Sequence, residues 1–344
     1  MPHRPGAVIF GCEGPQITET EKSFFESADP LGFILFARNC ETPDQVKNLV
    51  AQLRQSVGRP DAPVLIDQEG GRVQRLTPPH WRKAMSARSL VQAVEANDPG
   101  RVAEAVRLNA RLLAHELSAL GITVNCLPVL DIPQPGSHDV IGDRAFGGGT
   151  AQTVRLGQAV CEGLLQGGVL PVMKHIPGHG RAMADSHTSL DIVTASRDQL
   201  EAVDFAPFRA LNDTPWAMTA HLIYNVLDRD NPATHSSMIL RGLIRKDFGY
   251  AGVLLSDDVS MNALSGTIGE RAARAISAGC DIVLHCNGKM EEMREVADHT
   301  DVLSEPAAAR VIRGEVKRLN GVSKEPFNVD DAMLRLQGLT GEQA

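Results

Sequence analysis

A short stretch in the middle of the chain concentrates residue types that carry out acid–base chemistry. Its titratable residues are Lys174, His175, His179, Asp185 and His187. The apolar run before it predicts a buried strand, and a proline with two glycines after His175 rules out a helix. An Asp–His contact within such a loop would orient the imidazole and favour its protonated form, as proton transfer requires. The stretch is therefore the first candidate for an active site.

The same residues allow other interpretations. A single histidine at a strand end is often only structural, and Asp185-Ser186-His187 could form a surface turn. Zinc binding is the rival chemistry, because His175 and His179 are four residues apart. That spacing places two ligands on one face only in a helix, which Pro177 and Gly178 would break. We therefore expect neither a metal site nor another cofactor.

A pair of carboxylates follows a second apolar run. Asp257 and Asp258 are adjacent, so in a strand their side chains point in opposite directions. Asp258 is placed to be the N-cap of the next segment, which leaves Asp257 for chemistry. Hydrolysis of a glycosidic bond needs one group that protonates the departing oxygen and one that attacks or stabilises the anomeric carbon. Asp257 and His187 would form such a pair, with an imidazole in place of the usual carboxylic acid.

Charged residues of both signs follow a third apolar run. The stretch Asp67–Arg75 opens with carboxylates, turns on two glycines and ends with an arginine. Carboxylate and guanidinium groups together suit sugar hydroxyls, since they offer acceptors and donors in fixed directions. A phosphate site is the alternative, but the carboxylates oppose an anion there. Arg144 follows another strand, although taken alone it is more typical of a surface ion pair.

Eight apolar runs that alternate with helical patterns must position these residues. The predicted strands are Ala7–Gly11, Gly32–Phe36, Pro63–Ile66, Ile122–Leu130, Leu170–Met173, Ala217–Ile223, Gly252–Leu255 and Asp281–His285. Eight strand–helix units predict an α/β fold with a closed (β/α)8 barrel. A doubly wound sheet is the alternative, but no G-x-G-x-x-G motif follows the first strand. Six strands end at ionisable residues, among them Asp67, Asp131 and Lys174, and a barrel gathers the carboxyl ends of its strands into one pocket.

The helical patterns and the end of the chain indicate one domain. Thr42 is the predicted N-cap of a helix that runs to Val57, and Ser236 that of a helix closed by Gly249. The two helical stretches from about residue 305 are enough to complete the outer ring and too short for a second domain. We expect residues 1–344 to form a single TIM-type barrel.

Composition and charge limit the partners. The 344 residues carry a formal net charge of −8 without a basic run, which argues against nucleic acid. No apolar stretch approaches membrane-spanning length, and the N-terminus does not resemble a signal peptide. Six cysteines without metal-binding spacing favour a reducing cytoplasm. We expect a cytoplasmic monomer that acts on a small molecule and binds neither nucleic acid nor membranes.

Taken together, the motifs resemble those of the family 3 glycoside hydrolases. The resemblance runs from about Val8 to the last predicted strand and rests on three motifs in order: Asp67–Arg75, Lys174–His187 and Ser256–Met261. More narrowly, the chain is similar to the bacterial β-N-acetylglucosaminidases of peptidoglycan recycling, because the Asp-x-His unit after the fifth strand is typical of that branch. The resemblance also implies a barrel without the second domain of the β-glucosidase branch.

The resemblance implies a role for each motif residue. Asp257 would be the nucleophile and His187 the acid/base, with Asp185 as its partner. The −1 subsite would be formed by Asp67, Arg75, Arg144, Lys174 and His175. The implied activity is that of a retaining exo-β-N-acetylglucosaminidase acting on GlcNAc-1,6-anhydromuropeptides. A phosphorylase with the same residues, a broader family 3 β-glycosidase and a non-catalytic sugar-binding barrel are the alternatives.

Three positions depart from the family's pattern. Ile176 replaces a commoner aromatic residue, Arg181 stands where a small or acidic residue is more usual, and Asp191 takes the place of a proline. We expect these differences to affect loop packing and aglycone preference rather than the reaction.

Overall fold

A closed barrel of eight parallel strands forms the centre of the molecule in the computed structural model, which describes residues 4–183 and 190–341. The strands are β1 (Gly6–Gly11), β2 (Pro30–Leu35), β3 (Val64–Ile66), β4 (Val124–Asn125), β5 (Leu170–Ile176), β6 (Trp216–Thr219), β7 (Val253–Asp258) and β8 (Ile282–His285). Each strand pairs with the next one along the chain, and β8 pairs with β1. The predicted (β/α)8 barrel is therefore confirmed, and the doubly wound alternative is wrong.

Helices cover the outside of the barrel. They are α1 (Glu19–Ala28), α2 (Pro43–Ser56), α3 (Ala87–Asn97), α4 (Val102–Ser118), α5 (Thr150–Gln166), α6 (Arg197–Gln199), α7 (Ala206–Ala210), α8 (Ile268–Ala278), α9 (Met290–Asp298), α10 (Glu305–Gly321) and α11 (Val329–Thr340). Two further segments, Leu200–Asp204 and Met238–Asp247, are wound as wider π-type helices. Among the described residues, no helix combines the length and apolar character needed to cross a membrane.

Capping side chains explain where several helices begin. The hydroxyl of Thr42 accepts the N–H of Gln45 at 3.3 Å, which confirms the predicted N-cap of α2. The hydroxyl of Ser236 accepts the N–H of Ile239 at 3.2 Å, and Gly249 follows the segment with a positive φ of 69°. The observed ends of that segment therefore lie within two residues of the predicted ends, although the segment is a π-type helix rather than an α-helix.

Strand β4 is shorter than the predicted strand Ile122–Leu130. Only two of those residues pair regularly with both neighbours, because Pro128 has no N–H to donate to a sheet. Its carbonyl still accepts the N–H of Lys174 at 3.0 Å, so the irregular segment continues beside β5 towards the carboxyl end of the barrel. It ends at Asp131, which the prediction also placed at a strand end.

Two apolar layers determine where a pocket can form. Ile9, Val172 and Leu255 belong to a cluster that fills the inside of the barrel, and each is fully buried. Ala307 of α10 joins this cluster, and Gly314 of the same helix packs closely against the Trp216 ring at the start of β6. A second layer lies between strands and helices. Because α10 closes the amino end of the barrel, the carboxyl end remains for a site.

Candidate active site

A pocket of about 350 Å³ lies at the carboxyl ends of the barrel strands. Among its lining residues are six that the sequence analysis singled out: Asp67, Arg75, Arg144, Lys174, His175 and Asp257. The other two, Asp185 and His187, lie outside the described residues. Apolar side chains such as Phe36, Met218 and Met261 form the remaining wall. Six residues from five places in the sequence thus surround one space.

Lys174 lies at the centre of a buried group of charges. Its Nζ is 2.7 Å from Oδ1 of Asp67 and 2.7 Å from Oε1 of Glu69, and its side chain is 2% exposed. Burial alone would lower the pKa of this ammonium group, but the two carboxylates outweigh burial and raise it. In turn, Lys174 and Arg75 lower the pKa of Asp67 despite its burial. Lys174 and Asp67 therefore form an ion pair at neutral pH.

Glu69 is a member of this group that the sequence analysis did not select. Both of its carboxylate oxygens accept N–H groups of Arg144 at 2.9 Å. The two side chains are only 4% and 11% exposed, so the interpretation of Arg144 as a surface ion pair is wrong. A signal for Glu69 existed, because it is two residues after Asp67 and an extended chain would direct both to the same side.

The two glycines after Glu69 form a tight turn. Gly70 and Gly71 have φ angles of 97° and 60°, and a side chain on Gly70 would lie 2.2 Å from the carbonyl oxygen of Met85. The turn brings Arg75 back beside the strand end, where its Nη2 is 3.2 Å from Oδ2 of Asp67. Its guanidinium also lies 5.0 Å from the ring centre of Phe36. The two glycines therefore allow the turn that places Arg75 beside Asp67.

Asp131 holds His175 and is a second residue that the sequence analysis left out of the site. Its Oδ2 is 2.7 Å from Nδ1 of His175, and its carboxylate also accepts the backbone N–H groups of His175 and His179. Because a carboxylate accepts, Nδ1 carries the hydrogen, and Nε2 is the ring nitrogen left for a ligand. Asp131 has a lowered pKa despite its burial, since His175 favours its charged form.

His175 and His179, the pair considered as zinc ligands, lie side by side after β5. The rings of His175 and His179 are in edge contact, with centroids 5.4 Å apart. Burial and the neighbouring His175 lower the pKa of His179 to about 4. In the part of the chain that the structure describes, no group of three His, Cys, Asp or Glu side chains is arranged to hold a metal ion.

Asp257 and Asp258 end β7 in different environments. Oδ1 of Asp257 accepts the N–H of Asp258 at 2.8 Å, which leaves its second oxygen for the pocket. Burial alone would raise the pKa of Asp257, but His175, the N–H of Asp258 and Lys174 outweigh it and lower the pKa. Asp257 is therefore an ionised, half-buried carboxylate at the edge of a polar pocket.

The carboxylate of Asp258, unlike that of Asp257, accepts hydrogen bonds from neighbouring backbone N–H groups. Its oxygens accept the N–H of Ser260 at 3.0 Å, the hydroxyl of Ser260 at 2.6 Å and the N–H of Cys286 at 3.2 Å. The expected N-cap role is wrong, because the next helix begins only at Ile268. Asp258 stabilises a turn and links β7 to β8.

We expect Asp258→Ala to lower the free energy of unfolding by about 1–3 kcal/mol, since it leaves the N–H groups of half-buried Ser260 and buried Cys286 without this acceptor. Urea denaturation measures this loss. Ser260→Ala is the matched control, because it removes only the hydroxyl hydrogen bond and should cost less. Equal stability of Asp258→Ala and the wild type would contradict the assigned role.

The three departures from the family's pattern each have a place in the structure. Ile176 is fully buried in the apolar layer outside the barrel. Nε of Arg181 is 2.7 Å from Oδ2 of Asp204, whose pKa burial raises to about 6. The carboxylate of Asp191 accepts the backbone N–H groups of Met183 and Ile192. The arginine thus ties the start of the loop after β5 to the helical segment that follows the loop.

We expect a buried histidine, His235, to make the stability of the fold depend on pH. Nε2 of His235 donates to the carbonyl of Arg271 at 3.0 Å, and burial with the charge of Arg274 lowers the pKa of His235 to about 3. Between about pH 6.5 and pH 3 the unfolded chain therefore binds a proton that the folded chain does not bind. Stability falls as the pH decreases through this window, by about 2 kcal/mol at pH 5 for one such group.

We expect His235→Gln to lose less stability than the wild type between pH 7 and pH 5. Urea denaturation at both pH values gives the change in the free energy of unfolding between pH 7 and pH 5. This change should be about 2 kcal/mol smaller in the variant than in the wild type. His299→Gln, at an exposed histidine on the surface, is the control and should retain the wild-type difference. An unchanged difference in His235→Gln would contradict the assignment.

Comparisons with known proteins agree with this geometry. The family model described as glycosyl hydrolase family 3 N terminal domain matches residues 11–320. A β-hexosaminidase of Neisseria gonorrhoeae is 37% identical over 313 residues, which cover 88% of this chain and 85% of the relative. A β-hexosaminidase of Alkalilimnicola ehrlichii is 37% identical over 286 residues, covering 82% and 81%.

Solved structures give the same result. NagZ from Neisseria gonorrhoeae, in complex with N-trifluoroacetyl-D-glucosamine, superposes with a TM-score of 0.86 at 32% identity and covers 99% of this chain and 100% of its own. A family 3 β-N-acetylglucosaminidase from Paenibacillus sp. has a TM-score of 0.84 at 30% identity, covering 97% of this chain and 67% of its own. The chain therefore belongs to glycosyl hydrolase family 3 and is a glycoside hydrolase of the β-N-acetylhexosaminidase type.

Proposed function

We propose that the protein is a retaining exo-β-N-acetylglucosaminidase that removes terminal β-linked GlcNAc from GlcNAc-1,6-anhydromuropeptides released during peptidoglycan turnover. The observation that carries the proposal is Asp257, an ionised carboxylate at the mouth of a barrel pocket with one oxygen held by a backbone N–H. The unpaired cysteines suit a cytoplasmic location, and a monomer is sufficient, because one chain supplies every residue that the mechanism names.

In the first step, Oδ2 of Asp257 attacks the anomeric carbon of the bound sugar. The bond from that carbon to the leaving oxygen breaks, and His187 as an imidazolium gives its proton to that oxygen. Asp185 is the charge partner of the imidazolium. Neutral His187 then takes a proton from water, whose oxygen attacks the anomeric carbon and releases Asp257. The roles of Asp185 and His187 rest on the family resemblance.

The charges around Lys174 hold the sugar in the −1 subsite. Asp67 supplies acceptors, while Lys174, Arg75 and Arg144 supply donors, and Nε2 of His175 faces the same space. Their mutual ion pairs fix these groups before the sugar arrives, which reduces the ordering that binding requires. The enzyme thus recognises a sugar ring by several hydroxyl contacts in fixed directions.

Three aryl glycosides test the activity. We expect the purified protein to hydrolyse nitrophenyl β-GlcNAc much faster than the β-glucoside and the β-xyloside. Similar rates on all three would support a broader family 3 β-glycosidase instead. Added inorganic phosphate should give no GlcNAc-1-phosphate; its formation would identify a phosphorylase. No turnover of any substrate would leave only the sugar-binding barrel.

His187→Ala should slow natural substrates more than activated aryl glycosides, because a good leaving group needs little proton donation. The measurement compares kcat/KM on nitrophenyl β-GlcNAc with that on a GlcNAc-anhydromuropeptide. Deglycosylation of the aryl substrate should recover partly with azide. An equal loss on both substrates would argue that His187 has a structural role.

A further inference from the structure

The end of β7 lacks a regular sheet partner at the point where the proposed nucleophile lies. Strand β7 pairs with β6 only as far as Leu255, opposite Met218. On its other side, the register with β8 shifts between Leu255 and Asp258. Such an irregularity redirects the side chains of a strand, and it spans Asp257. Contacts other than the regular ladder must therefore hold this strand end.

One backbone hydrogen bond remains just after Asp258, from the N–H of Val259 to the carbonyl oxygen of Leu284 at 2.9 Å, and side chains supply the others. Towards β8, Oγ of Ser256 accepts the N–H of Leu284 at 2.9 Å, and Oδ1 of Asp258 accepts the N–H of Cys286 at 3.2 Å. Towards β6, Nε2 of His221 lies 3.1 Å from the carbonyl oxygen of Asp258. His221 is thus the contact from the β6 side to the last residue of β7.

The partners of His221 define its tautomer. A carbonyl oxygen only accepts, so Nε2 carries the hydrogen and donates to Asp258. In the neutral ring Nδ1 then accepts from the hydroxyl of Thr234 at 2.7 Å, a shorter contact than the 3.1 Å from that hydroxyl to the carbonyl oxygen of Ala220. Thr219 in turn donates to Thr234 at 2.7 Å. All three side chains are fully buried, and burial lowers the pKa of His221, which favours the neutral ring.

We infer that His221 is a positioning residue for Asp257, with Thr234 and Thr219 fixing its ring. The connection is short: His221 holds the carbonyl of Asp258, and the N–H of Asp258 holds Oδ1 of Asp257. A shift of the Asp258 backbone therefore turns the carboxylate that attacks the sugar. The inference rests on the proposed function, because it assumes that Asp257 is the nucleophile.

The test compares two substitutions of His221 with a control. His221→Leu should lower kcat on nitrophenyl β-GlcNAc by about 100-fold, as a misplacement near 1 Å does, with KM within about twofold. His221→Gln retains an N–H that can reach the same carbonyl and should recover at least about tenfold of that loss. The control, His285→Leu, removes another buried strand-end histidine, whose Nε2 forms a hydrogen bond with Glu292 of α9.

Three outcomes would overturn the inference: a kcat for His221→Leu no lower than that of His285→Leu, a loss confined to KM, or no recovery in His221→Gln. If His221→Leu does not fold, Thr234→Val decides, because it removes the hydroxyl that fixes the ring and leaves His221 itself in place. It should lower kcat by about tenfold, and an unchanged kcat would overturn the inference.

A fluoro-sugar that labels the nucleophile separates this inference from the proposed function. Labelling of the wild type on Asp257, together with slower labelling of His221→Leu, supports both the proposed function and the role of His221. Labelling of the wild type on Asp257 and of the variant at the same rate overturns only the role of His221. An adduct on another residue of the wild type overturns the proposed function and the inference with it.

Discussion

Asp257→Ala is expected to lower kcat by roughly 10⁴- to 10⁶-fold, the loss found when a covalent catalyst is deleted. The physical reason is the environment of the carboxylate. Its neighbours keep it ionised although it is half-buried, and the N–H of Asp258 holds one oxygen so that the other can attack. The sugar-binding charges around Lys174 are untouched by the substitution, so KM should change little.

The covalent intermediate can be tested at the level of the residue. A 2-fluoro or 5-fluoro sugar should label the wild type, and peptide mapping should place the adduct on Asp257 rather than Asp258. Asp258→Asn is the matched control, because its carboxamide oxygen can still accept the N–H of Ser260, and it should retain most of kcat. The first product seen by NMR should have the β-configuration; an α-product would contradict the mechanism.

Stability should distinguish loss of chemistry from loss of fold. Asp257 makes one hydrogen bond within the described residues, from the adjacent N–H, and its side chain is half-buried. Removing a half-buried charge that serves a ligand rather than the fold costs little stability and can increase it. We therefore expect Asp257→Ala to unfold at a urea concentration close to that of the wild type. A large decrease would assign the carboxylate a structural role as well.

The barrel and half of the site could be predicted because their signals are local. Each βα unit shows a short apolar run and then a helical period, so eight units predict the barrel without any knowledge of contacts. Strand ends follow from the same pattern, which is why Asp67, Lys174 and Asp257 could be placed at one face before the structure was known.

What could not be predicted depends on pairs that are distant in sequence. Glu69 and Arg144 are 75 residues apart, and each alone is typical of the protein surface. Asp131 was placed at a strand end, but its bond to His175 needs the irregular chain after β4, which Pro128 produces. Arg181 departed from the family's pattern with no visible compensation, because its partner Asp204 lies beyond the loop.

Glu69→Gln is expected to have the largest effect on stability, about 3–5 kcal/mol, because it removes the partner of two buried cations. Glu69 receives both N–H groups of Arg144 and lies 2.7 Å from Nζ of Lys174. The carboxamide can accept from only one of these groups at full strength and carries no charge. Urea denaturation at pH 7 measures the loss. Glu26→Gln, at an exposed glutamate of α1, is the control and should stay within about 0.5 kcal/mol of the wild type.

The stability lost in Glu69→Gln should depend on pH, and the pKa of Glu69 determines the direction of that dependence. Burial alone would raise the pKa of Glu69, but Arg144 and Lys174 outweigh it and lower the pKa below its ordinary value. A carboxylate with a lowered folded pKa contributes stability above its unfolded pKa, and that contribution is lost as the pH falls. The difference in the free energy of unfolding between the wild type and Glu69→Gln should therefore decrease from pH 7 towards pH 3. A difference that stays constant would contradict an ionic role for Glu69.

A double variant separates the contribution of Glu69 to the fold from its contribution to the reaction. In Glu69→Gln, Lys174 and Arg144 repel each other with one carboxylate, Asp67, left between them. Adding Lys174→Met removes one of the two cations, so the double variant should be more stable than Glu69→Gln alone, and the two effects should not add. Activity should not recover, because Lys174 is also a proposed sugar contact. Recovery of stability without activity would show that the same charges hold the fold and the substrate, whereas additive losses would place Glu69 and Lys174 in separate roles.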